Sequence, residues 1–131
     1  MAVLVDTNVL SDIIHADPRW EPWAEARILE YFGMLLINPI IYAELACRAD
    51  SVEELEEILS PFELEYLELP KAALFQASQA FMAYRKRGGN KASPLPDFFI
   101  GAHAAVLKLP ILTRDVGRYR TYFPQVELIT P

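Results

Sequence analysis

Four carboxylates occur at places where a folded chain could gather them. Asp6 follows the aliphatic run Val3-Leu4-Val5, Glu44 lies in an apolar segment, Asp97 comes directly after Pro96, and Asp115 closes Leu112-Thr113-Arg114-Asp115. A lone carboxylate in apolar surroundings must be neutralised, solvated or bound to a counterion. Four brought together repel one another, and divalent cations offset that repulsion while supplying an electrostatic centre for phosphoryl chemistry. Carboxylate and water ligands suit hard cations, so one or two Mg2+ ions are expected, with Mn2+ as a substitute. A structural zinc cluster lacks ligands, because the chain has one cysteine, Cys47, and two histidines, His15 and His103. Each acid also has a local reading: Asp6 as a cap, Glu44 in a salt bridge, Asp97 as a helix N-terminal acid, Asp115 as a turn former. Thr7, Asn8, Thr113 and Arg114 are candidate supporting residues, orienting a carboxylate or touching phosphate, with capping or a salt bridge as their alternatives.

The elements that would position these residues can be read from periodicity and punctuation. Val3 to Val5 is expected to be a buried strand, which puts Asp6 at its exit. A short helix follows to Ile13 or Ile14, a second runs from Pro22 to Phe32, and Met34 to Ile37 forms another buried strand. Asn38-Pro39 reads as a cap with proline at the first helical position, opening a helix over 39–49 that carries Glu44. Ser51 and Glu54 have capping-box spacing before a helix over 52–60. Residues 63–69 alternate partly and suggest an edge strand. Long helices are predicted over 71–87 and 96–108, separated by a segment from Gly88 to Pro94 that is expected to be mobile. Asp97 then falls in a first turn, where free amides and the helix dipole favour its ionised form. Pro110 to Leu112 and Val126 to Ile129 complete the strands. Short aliphatic strands alternating with amphipathic helices predict an α/β fold with a mostly parallel sheet flanked by helices. Sites in such folds form where loops leave the C-terminal ends of the strands, which gives the carboxylates a common address.

The chain has 131 residues, 53% of them hydrophobic and 23% charged, enough apolar surface for a core and room for one domain over 1–131. That composition excludes a disordered chain. No apolar run reaches the roughly 18 residues of a membrane span, and the N-terminus lacks signal-peptide character, so a cytoplasmic protein is expected. The net charge of −6 argues against a polycation that coats nucleic acid. Its distribution is uneven, however: residues 1–70 hold 15 acidic and 3 basic groups and residues 71–131 hold 3 acidic and 9 basic, or −12 and +6. Arg85-Lys86-Arg87 and Lys91 form the densest basic cluster, either a polyanion contact or a solvated helix end.

Four segments together carry a family resemblance: Val3-Leu4-Val5-Asp6-Thr7-Asn8-Val9-Leu10, Glu44-Leu45, Asp97-Phe98-Phe99-Ile100-Gly101-Ala102-His103-Ala104, and Leu112-Thr113-Arg114-Asp115. The chain resembles the small PIN-domain ribonucleases of the VapC toxin family over nearly its whole length. Asp6, Glu44, Asp97 and Asp115 match that family's acidic residues in order. The resemblance implies a PIN-like fold, metal-dependent endonucleolytic cleavage of RNA, and a homodimer restrained by a cognate antitoxin. Gly101 replaces a common alanine, His103 is unusual in its run, Cys47 and Arg48 replace small residues, and Arg118 stands where many relatives have another acid.

The expected chemistry is hydrolysis of an RNA phosphodiester with Asp6, Asp97 and Asp115 as metal ligands and Glu44 as a ligand through water or an orienter of the attacking water. His103 lies six residues after Asp97, about 240° around a helix, so it should not share that acid's face. Packing is also the first expectation for Trp20, Trp23, Tyr31, Phe98 and Phe99. The resemblance further implies a partner helix in a groove between the early helices, bringing a basic side chain toward the acids. The competing readings are a nuclease for single-stranded DNA or other phosphodiesters, and a noncatalytic PIN-like interaction module. A phosphatase with an aspartyl nucleophile fits less well, because Asp6-Thr7-Asn8 lacks a second acid two positions after the first.

Overall fold

A computed structural model of the protein describes residues 1–92 and 95–131. Ser93 and Pro94, at the end of the segment expected to be mobile, lie outside the described residues. Those described form five strands and seven α-helices, in the order β1 (Val3–Val5), α1 (Thr7–Ile14), α2 (Glu21–Glu30), β2 (Leu35–Ile37), α3 (Pro39–Ala46), α4 (Val52–Leu59), β3 (Glu65–Tyr66), α5 (Lys71–Lys86), α6 (Pro96–Leu107), β4 (Ile111–Leu112), α7 (Gly117–Tyr122) and β5 (Leu128–Ile129). The sheet order is β3-β2-β1-β4-β5, and every neighbouring pair is parallel.

Parallel strands covered on both faces need apolar side chains in both directions. Val3, Leu4 and Val5 accordingly have no exposed surface, and Leu35, Leu36, Ile37, Ile111 and Leu112 are buried beside them. The chain leaves β1 toward β2 on one side and returns to β4 on the other, so the sheet reverses its winding at β1. The crevice at that reversal, beyond the strands' C-terminal ends, is where α/β folds place ligands.

Side-chain caps fix where three of the helices begin. Asp6 caps α1 and accepts from the Thr7 amide, Asn38 caps α3 and accepts from Ile41, and Ser51 caps α4 and accepts from Glu54. The Ser51/Glu54 box closes one residue early, because the Glu54 carboxylate accepts from the amide of Asp50. Gly33 turns the chain into β2 at φ +87°, a conformation that favours glycine.

A second apolar cluster joins α5, α6 and the C-terminal region through Ala73, Ala77, Phe81, Phe98, Ala102 and Phe123. Small residues let these elements approach closely, most of all at Gly101. A Cβ there would lie 2.3 Å from Cδ2 of Phe123.

Several expected elements are shorter than predicted. The alternating segment 63–69 contributes only Glu65–Tyr66, exposed at the sheet edge, and α3 ends at Ala46 instead of 49. The short helix α7 was not expected at all. Gly-Arg-Tyr-Arg-Thr-Tyr has no cap and no apolar period, and packing of Tyr119 against the main core holds it. No helix among the described residues is long and apolar enough to cross a membrane.

Candidate active site

Asp6 is the centre of the crevice. It ends β1 and caps α1, and is only 5% exposed. One carboxylate oxygen, Oδ1, accepts from the Thr7 amide at 2.8 Å. The other, Oδ2, accepts from Thr113 Oγ1 and from the Tyr119 hydroxyl, each at 2.9 Å, and from Asn8 Nδ2 at 3.2 Å. The Thr113 hydroxyl spends its one proton on Asp6 and accepts from the Asp115 amide at 3.0 Å. It therefore ties the exits of β1 and β4 together. Asn8 does the same from α1, receiving the Arg114 amide on Oδ1 at 3.2 Å.

The other acids come from separate elements and line the same cavity of about 300 Å³ as Asp6, Thr7 and Asn8. Glu44 projects from α3, and its Oε1 accepts the Thr7 hydroxyl at 2.6 Å, which leaves Oε2 without a described partner. Asp97 occupies the first turn of α6, and Asp115 follows β4. Arg114 lines this cavity too, but its guanidinium is engaged by Asp12 through Nε at 2.6 Å and Nη2 at 3.0 Å, and rests 5.4 Å from the ring of Trp20. Two-point pairing of this kind fixes a guanidinium plane.

The electrostatics reflect crowding of like charge. Burial pushes the Asp6 carboxyl up to about 6, with the charge of Asp97 adding to the rise and the donors Thr113 and Tyr119 opposing it. Asp97 is raised by burial and by Asp115, and Arg118 partly offsets this from 3.5 Å. Tyr119 is pushed well above its usual value by burial beside Asp6, so it stays a hydroxyl donor at neutral pH.

All eight residues singled out from sequence meet here: seven line the cavity, and Thr113 is buried beneath it. Two further participants were not anticipated. Tyr119 lay in a helix with no sequence signal. Asp12 sits one helical turn after Asn8 and shares its face, a spacing that could have marked it.

His103 is fully buried away from the acids, as its position in α6 requires. Asn38 Nδ2 donates to His103 Nδ1 at 3.1 Å while Asn38 Oδ1 caps α3, so His103 steadies the helix that carries Glu44. Burial lowers its pKa, and it serves as a neutral acceptor. Trp23 and Tyr31 pack against the core, and Phe98 anchors α6.

This arrangement of acids at the crossover of a parallel sheet coincides with a match to the PIN domain family over residues 3–124. The chain belongs to the PIN domain family. PIN domains are generally nucleases, and those nucleases generally use divalent metal ions. No curated protein sequence matches this PIN domain. Among solved structures, it is similar to a chain of VapBC2 from Rickettsia felis bound to a promoter DNA fragment, with TM-score 0.74, 18% identity and coverage of 99% of this chain and 98% of that one. A chain of DNA-bound VapBC from Salmonella typhimurium matches with TM-score 0.73 and 20% identity, again covering 99% and 98%. For FitAcB from Neisseria gonorrhoeae the values are 0.68 and 23%, covering 98% and 97%. At these identities the likeness is one of fold.

The donor set of this PIN domain suits a hard divalent cation: it is entirely oxygen, it faces an open cavity, and its central carboxyl is destabilised by burial and like charge. Among the described residues no three acidic, histidine or cysteine side chains are close enough to cage an ion by themselves. Oxygen donors suit Mg2+, which keeps several of its waters and takes few protein ligands.

Proposed function

We propose that this PIN domain is the toxin of a toxin–antitoxin pair, a VapC-type endoribonuclease that hydrolyses RNA phosphodiesters with Mg2+, or Mn2+ in its place. The observation that carries the reading is the convergence of Asp6, Glu44, Asp97 and Asp115 on one cavity at the sheet's crossover. Asp6, Asp97 and Asp115 would hold the ion or ions, directly or through the waters that the ion keeps. Bound there, the metal supplies positive charge to the scissile phosphate and acidity to a water.

The chain's own groups do the positioning. Thr113, Asn8 and Tyr119 fix the Asp6 carboxylate so that little reorganisation is needed on binding. Thr7 holds one oxygen of Glu44 and leaves the other to orient the attacking water. The Asp12 pair keeps the Arg114 side chain at the cavity wall.

A cognate antitoxin is part of this reading, because the fold neighbours include VapBC complexes. So is a homodimer, for which the exposed Leu74, Phe75 and Met82 of α5 provide an apolar face.

The test is cleavage of a panel of structured RNAs by purified, partner-free protein with and without Mg2+ or Mn2+, beside a folded Asp97→Asn variant. Cutting that requires metal and is lost in the variant is the expected result. Equal specific activity in the variant would overturn the assignment, and preferential cutting of single-stranded DNA would replace the substrate.

A further inference from the structure

A second cavity lies beside the acidic one. It measures about 580 Å³ and shares Asp97 and Asp115 with it, so the two adjoin at these acids. Its chemistry is different. Beyond the shared acids the walls carry Arg87 at the end of α5, Arg118 on α7, and the rings of Tyr84 and Tyr122.

The aromatic floor is fixed in place. Tyr84 and Tyr122 both pack on buried Phe98, with ring centroids 5.6 and 5.4 Å away, and Phe98 adjoins Asp97 in the chain. The guanidiniums lie along the rings, Arg87 5.7 Å from the centre of Tyr122 and Arg118 5.9 Å from that of Tyr84. Gly89 comes so close to Tyr84 that a Cβ would lie 2.2 Å from the ring. Arg87 and Arg118 are exposed, and among the described residues Arg118 has one hydrogen-bonding partner, Asp97 at 3.5 Å, so both can turn to a new anion.

Guanidiniums over tyrosines, in an open cleft on a protein of net charge −6, make a local site for a polyanion with flat, stackable groups. We infer that this cleft is a nucleotide subsite: Arg87 and Arg118 bind the phosphate next to the scissile one, and Tyr122 receives the unpaired base attached to it, while Tyr84, covered by Gly89, backs the cleft. The proposal rests on the nuclease reading for its substrate, and it adds a requirement. A base paired in a duplex cannot present its face to Tyr122, so the RNA must be single-stranded at this position. It also gives Arg118 two partners, Asp97 in the free protein and phosphate in the complex.

Binding in EDTA, where no metal-dependent cutting occurs, separates this subsite from the chemistry. The probe is a single-stranded RNA decamer carrying 2-aminopurine, whose fluorescence is quenched by stacking. Arg87→Ala and Arg118→Ala should each weaken binding about tenfold and steepen the dependence on RNA concentration in cleavage, while Lys71→Ala at the far end of α5 changes neither. Tyr122→Leu should abolish the quench and Tyr122→Phe should keep it. If Tyr122→Leu fails to fold, the exposed Arg87 still provides the test. Wild-type binding in Arg87→Ala, or an unchanged quench in folded Tyr122→Leu, would overturn the subsite even if the wild-type protein cuts RNA. Binding that depends on these residues without any cutting in Mg2+ would support the subsite and overturn the nuclease reading alone.

Discussion

The hydroxyl of Tyr119, on α7, donates to Oδ2 of Asp6 across 2.9 Å, although 113 residues separate the two. A donor that favours the charged form lowers a carboxyl's pKa. Tyr119→Phe should therefore raise the Asp6 pKa by about one unit, equivalent to about 1.4 kcal/mol. Carboxyl 13C NMR titration of the metal-free protein measures it directly. In the proposed reaction the acidic limb of the rate profile should move up with it and the rate recover near pH 8.5. An unmoved titration would leave Tyr119 as packing only.

Burial pushes the Asp6 carboxyl from its ordinary 3.8 up to about 6. Between those values the folded, metal-free protein holds a proton that the unfolded chain has released. Stability from this group is thus present at low pH and is lost as pH rises through about 6, a difference of about 3 kcal/mol. A divalent cation acts in the opposite direction, since it binds the ionised form. The rise in Tm produced by Mg2+ should be large at pH 7.5 and small at pH 5, and an increment independent of pH would count against Asp6 as a ligand.

Gly101 and Phe123 are matched. Adding a methyl at Gly101 forces the buried Phe123 ring to move, and overpacking of this kind costs about 1–3 kcal/mol. Gly101→Ala should lower Tm accordingly, and the loss in Gly101→Ala/Phe123→Leu should be smaller than the sum of the single changes. Additive losses in thermal unfolding would show that the two do not compete for space. The pairing accounts for glycine in this chain where the resemblance leads one to expect alanine.

The framework of this protein is legible in its sequence wherever local signals agree with the fold. Val3 to Val5 is apolar throughout because a central parallel strand is covered on both faces, and Asn38-Pro39 announces a helix by capping chemistry alone. The four acids could be anticipated because each stands at an element boundary or in an apolar segment, and the resemblance gave their order. What stayed hidden depends on distant partners. The helix of Tyr119 forms through its contacts with the core, not through propensity, and the Arg114–Asp12 pair joins residues 102 apart. The strand over 63–69 shrank because an exposed edge position offers pairing on one side only, which favours short strands.

The position of β1 at the middle of the sheet has a consequence for synthesis. Val5 pairs with Leu112, and Thr113 closes on Asp6 across 107 residues. At ribosomal rates of about 5–20 residues per second, that interval lasts on the order of 5–20 s. Throughout it, one flank of β1 has no partner, and a nascent chain carries Asp6 and Glu44 without the residues that complete their pocket. Whatever this centre does, a ribosome-bound fragment ending before Ile111 cannot do it.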